Sequence, residues 1–115
     1  MYSLPNYLQT NRRRASFSQE EVAFLLGMTG IDKDRANKVS RDERFARVPT
    51  LEMALAYELI YGKPARDLFA GMYEEIARGV AARAKILRYR KAAASDLQKS
   101  QAIAGLAQRC ATFTN

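Results

Sequence analysis

The chain has 115 residues, 48% of them apolar and 27% charged, enough for one packed core and too apolar for a disordered chain. Nineteen Lys and Arg against twelve Asp and Glu give a net charge of +7, which points to an acidic partner, nucleic acid first and an anionic membrane surface second. With no His there is no imidazole base, His metal ligand or histidine pH switch, and with Cys110 alone there is no internal disulfide or cysteine zinc site.

Apolar residues recur at three- and four-residue spacing, so helix is expected nearly throughout. A first helix is predicted from about Asn6 to Ala15. A second runs from Gln19 to Leu26, opened by a capping box between Ser18 and Glu21 and closed by Gly27. Val22, Leu25 and Leu26 are expected to point inward from it. A third helix ends near Arg44. Its start follows a Thr29-Gly30 turn, and both Asp32 and Asp34 are suitable caps.

Val48-Pro49 forces an extended connection, and Thr50 caps a fourth helix through Tyr61. Leu51, Leu55 and Leu59 are read as its core-facing rail. Gly62 closes it, and Pro64 opens a fifth helix whose stripe, from Leu68 through Met72, Ile76 and Val80 to Leu87, carries it to about Arg90. A weaker sixth helix is expected from about Ser95 to Arg109, with a frayed end after it. Tyr57, Tyr61 and Tyr73 read as core residues whose hydroxyls reach water.

Charge is uneven. Residues 1–64 hold ten basic and eight acidic side chains, whereas residues 65–115 hold nine and four. Six bases and no acid lie between Arg78 and Lys91, a run read as a solvated helix face. No signal peptide or membrane-spanning run is visible, so a cytoplasmic location is expected.

A bracing helix, a turn and a second helix rich in long polar side chains form the pattern of a helix-turn-helix. In that arrangement the second helix places its amino-terminal half in the major groove, and flanking groups hold phosphate. The segment Arg35-Ala-Asn-Lys-Val-Ser-Arg-Asp-Glu-Arg44 supplies both kinds of group, with Val39 as the core anchor.

Four blocks in order resemble the XRE family, the helix-turn-helix family of the phage Cro and repressor proteins. They are Arg12-Arg-Arg, Ser18-Gln-Glu-Glu-Val-Ala-Phe-Leu-Leu-Gly27, Val39-Ser-Arg-Asp-Glu-Arg44 and Pro49-Thr-Leu-Glu52, and the match extends from about Asn6 to Phe69. The resemblance implies an all-α, lambda-repressor-like five-helix DNA-binding domain over residues 1–70. A long fifth helix would then lead into a helical extension, residues 71–115. It implies that Gln19, Arg44 and Arg47 hold phosphate, and that Asn37 and Arg41, with Lys38 and Ser40 beside them, read bases. Arg12 and Glu43 match a structural ion pair.

The sequence departs from the family in two places. Nine residues separate Thr29 from Val39 where the usual pattern has about three, which means either a longer turn or an extra turn on the recognition helix. Asp42 replaces an apolar or aromatic residue.

The expected function is sequence-specific binding of double-stranded DNA by a transcriptional regulator, dimeric on a two-fold symmetric operator. The dimer seam would be the fifth helix through Met72, Ile76, Val80 and Leu87. The alternative is a helix-turn-helix used as a protein-interaction or assembly module, antitoxin-like or independent of DNA. Neither reading calls for a metal or cofactor. The carboxylate pairs Glu20-Glu21 and Glu74-Glu75 point to different sides of their helices, and no nucleophile or phosphate-loop motif argues for an enzyme.

Overall fold

A computed structural model describes residues 6–28, 32–90 and 95–113 of the chain. Among these residues all regular structure is helical: α1 Leu8–Arg14, α2 Gln19–Leu25, α3 Asp32–Glu43, α4 Leu51–Tyr61, α5 Ala65–Leu68, α6 Ala70–Arg88 and α7 Leu97–Phe113. The Thr29-Gly30 turn, Lys91 and Ala92 to Ala94 lie outside the described residues. The chain divides into two compact units, Met1–Gly71 and Met72–Asn115. No described helix is long and apolar enough to cross a membrane.

Local chemistry sets the helix ends of the first unit. At α2 the Ser18 hydroxyl accepts from the Glu21 N–H at 3.0 Å while the Glu21 carboxylate accepts from the Ser18 N–H at 2.8 Å, the reciprocal capping box. Thr50 caps α4 by accepting from the Met53 N–H. Helices α1, α2 and α3 all end in the same way. The first residue past the cap turns left-handed, and its N–H and the next close back on carbonyls three and five residues earlier. Gly27 fills that position after α2, but Ser16 fills it after α1 and Phe45 after α3, with φ of 62° and 59°.

The surplus residues before Val39 lengthen α3 at its front, and Asp34 lies inside the helix instead of capping it. Helix α2 packs against α3, and α1 meets both α3 and α4. The core comprises Leu8, Val22, Ala23, Leu26, Met28, Val39, Tyr57, Leu68 and Phe69. Tyr57 stacks on Tyr61 at 6.0 Å and meets Phe69 edge-on at 6.2 Å.

Four leucines expected in the core are outside it. On α2 the inward arc runs through Val22, Ala23 and Leu26, which leaves Leu25 on the exposed flank. On α4, Leu51, Leu55 and Leu59 are 75%, 50% and 85% exposed, because the helix turns Tyr57 inward. Two residues along a helix is a rotation of about 200°, so Tyr57 and the leucine rail lie on opposite sides.

The expected long fifth helix is broken. Phe69, at φ −112° and ψ 45°, separates the four-residue α5 from α6. In the second unit, α6 and α7 form a helical hairpin. Tyr73 near the start of α6 meets Phe113 at the end of α7 with ring centres 4.8 Å apart, while Ala84 near the end of α6 packs on Ile103 near the start of α7. The residues therefore pair antiparallel.

The apolar stripe of α6 is partly consumed within the chain. Ala77 and Ala84 are buried, Met72 and Val80 are half-buried, and Ile76, Ile86 and Leu87 remain exposed. Asp96 caps α7 by accepting from the Lys99 N–H. That helix continues to Phe113, past the expected end at Arg109.

Ser16 is exposed, so its left-handed backbone has no packing to compensate it. Ser16→Gly is expected to raise the unfolding free energy by about 1 kcal/mol. Urea titration would report this as a higher midpoint at unchanged slope.

Candidate nucleic-acid interface

The candidate site is one face of α3, and its geometry depends on what holds the opposite face. Val39 and Asp42, three residues apart, are fully buried. Asp34, Asn37, Arg41 and Arg44 recur at three- and four-residue steps and form the exposed stripe. Lys38 and Ser40 are half-buried at its edges. Arg44 lies back along the helix and donates from Nε to the Ser40 carbonyl at 3.3 Å. The stripe thus offers an amide and two guanidiniums, with one carboxylate, Asp34, toward its amino-terminal end.

Glu43 fixes the register of this helix. Its side chain is 2% exposed and that of Arg12 is 12% exposed. Arg12 on α1 donates from Nε at 2.6 Å and from Nη2 at 3.2 Å, a bidentate pair, while its Nη1 holds the Phe17 carbonyl. Gln19, the first residue of α2, donates from Nε2 to the same carboxylate at 3.1 Å. One carboxylate therefore ties together the ends of three helices. The bond to Glu43 raises the pKa of the Arg12 guanidinium against the opposing effect of burial. Burial first, then the Glu43 charge, pushes the Tyr61 hydroxyl upward as well.

A second buried node lies one residue earlier. The Tyr57 hydroxyl donates to Asp42 Oδ2 at 2.7 Å, and does not reach water. Arg47 Nε stands 3.3 Å from Asp42 Oδ1, an ion contact without the alignment of a hydrogen bond. Asn6, itself buried, donates its side-chain amide to the Asp42 carbonyl and accepts the Leu8 N–H at the start of α1. Burial raises the Asp42 pKa, opposed by the Tyr57 hydrogen bond and the Arg47 charge. Further along α2, Glu20 accepts from Arg35 Nη2 at 2.6 Å and so steadies the amino-terminal half of α3.

Each residue expected at the site has a definite position. Arg12 and Glu43 are joined. Asn37, Arg41 and Arg44 share one exposed face, with Lys38 and Ser40 flanking it. Gln19 and Arg47, both expected on phosphate, spend polar groups inside the protein, on Glu43 and Asp42. Asn6, Arg35 and Tyr57 were not anticipated as polar anchors. The only hint in the sequence was Asp42, a carboxylate at a core-facing position that had to find buried partners. Among the described residues no group of three or more His, Cys, Asp or Glu could hold a metal ion. The basic residues Arg78, Arg83, Lys85, Arg88 and Arg90 of the second unit are exposed.

The chain matches no protein-family model, no curated protein and no solved structure.

Asp42 gives a signed pH dependence. Its folded pKa lies above the ordinary 3.8, so the folded state binds more protons than the unfolded state between those two values, and stability from this group falls as pH rises through that window. Asp42→Asn keeps a partner for Tyr57 without the desolvated charge. Urea unfolding of both proteins from pH 3 upward should show the wild-type stability, relative to the variant, declining as pH rises from below 3.8. A constant difference would contradict a raised carboxyl at Asp42.

Proposed function

We propose that this chain is a sequence-specific regulator that binds double-stranded DNA through a lambda-repressor-like domain in its first unit. In this reading α2 braces across the phosphates and α3 enters the major groove. The observation that carries it is the exposed Asn37–Arg41–Arg44 stripe on a helix whose other face is locked by Val39, Asp42 and Glu43. Arg pairs with guanine and Asn with adenine through two hydrogen bonds each, and both need a rigid helix to present them. Arg41 and Asn37 take the base-reading roles, and Lys38 and Ser40 support them from the edges. Arg44 takes phosphate.

Gln19 and Arg47 contribute less than the family resemblance implies, since their polar groups already have partners within the protein. The net charge of +7 favours encounter with DNA without regard to sequence. Two copies on paired half-sites would give a two-fold symmetric operator.

The second reading is a helix-turn-helix used for protein assembly. It is favoured by the exposed leucines of α4 and by Asp34, a carboxylate on the stripe where phosphate would otherwise approach.

Fluorescence anisotropy against duplexes selected from a random pool separates the two. Arg41→Ala should lower affinity for the selected site by about 5- to 150-fold, the equivalent of ~1–3 kcal/mol, and relax preference at one base pair. Arg44→Ala should weaken all duplexes alike and reduce the salt slope by about 0.9. Binding that is equally weak on every duplex and unchanged by Arg41→Ala would favour the assembly reading.

A further inference from the structure

The leucine rail of α4 is an apolar row that the first unit leaves uncovered. Leu51, Leu55 and Leu59 stand four residues apart along one side of the helix, and Val48, three residues ahead of Leu51, is exposed too. A four-residue row is a packing ridge, and two such ridges interdigitate at a crossing of about 50°. We infer that this ridge is a docking surface for a second copy of the chain, with two α4 helices packed antiparallel about a two-fold axis.

The charges at the ends of the helix select this occupant and this direction. Glu52 is exposed at the amino-terminal end beside the ridge, and Lys63 is exposed just past the carboxy-terminal end, after the left-handed Gly62. A parallel two-fold pairing would set Glu52 against Glu52 and Lys63 against Lys63. The antiparallel pairing sets Glu52 of each copy near Lys63 of the other and opposes the two helix dipoles. The end charges and the helix dipoles therefore favour the antiparallel pairing over the parallel one.

This surface deepens the two-fold reading above and replaces the α6 stripe, which α7 already covers in part. It requires no DNA contact. Four apolar side chains with a thin polar rim belong to the small size class, below ~1,200 Å² in total, and so to weak and reversible association. Because α4 follows directly on the loop that leaves α3, pairing through α4 would hold two α3 helices at a fixed separation.

The test is sedimentation velocity of the full chain without DNA, from about one to several hundred micromolar, the range of weak complexes. A concentration-dependent monomer–dimer equilibrium is expected. Leu55→Glu should abolish it, with circular dichroism and thermal midpoint unchanged because the side chain is exposed. Glu52→Lys and Lys63→Glu should each weaken it about tenfold, and the double reversal should restore it. A monomer at every concentration would overturn the proposal. A dimer indifferent to Leu55→Glu, or charge reversals without mutual rescue, would overturn it as well. Since DNA is absent, failure here leaves the Arg41 experiment to decide the DNA reading independently.

Discussion

A single carboxylate, Glu43, organises the first unit. It is almost wholly removed from water, and it carries a charge that must be matched where it lies. Arg12 supplies two donors and Gln19 a third, which leaves α1, α2 and the carboxy-terminal end of α3 little freedom to slide past one another. Pairs this buried cost ~3–5 kcal/mol when one partner is lost, because the other charge is stranded. Their contribution is therefore best understood as setting a register, and that register decides which side chains of α3 face out.

Asp42 extends the same constraint. A carboxylate in a core is costly, and the fold meets the cost with Tyr57, Arg47 and the amide of Asn6 near its backbone. This arrangement accounts for the orientation of α4. Tyr57 must turn inward to reach Asp42, and doing so carries Leu51, Leu55 and Leu59 to the outside. A buried polar bond under α3 and an apolar ridge on the opposite face of α4 are thus two sides of one choice. Arg47 is drawn into the same network and away from the solvent face.

Much of this was legible in the residues. The Ser18–Glu21 box, the Gly27 stop and the Thr50 cap are local signals that need no tertiary context, and each stands where its chemistry places it. The order of polar and apolar residues in α3 told which side would be buried, since Val39 can face only one way. The Arg12–Glu43 contact was reachable through family resemblance, not through spacing, because 31 residues separate the partners. What could not be seen was the direction of α4. Periodicity reveals an apolar face but not whether the core lies on that side, and the competing inward pull of Asp42 on Tyr57 is non-local. The break at Phe69 was hidden for a similar reason. That residue leaves the helical conformation with its ring set against Tyr57, and no proline stands there to announce it.

The central claim is that α3 presents its Asn37–Arg41–Arg44 face to duplex DNA. Amide chemical-shift mapping of the isotope-labelled chain, titrated with a selected duplex, tests it most directly. Perturbations are expected to cluster on α3 from Asp34 to Arg44, with few on α6 and α7. Shifts confined to the basic stretch from Arg78 to Arg90, with α3 unmoved, would contradict it.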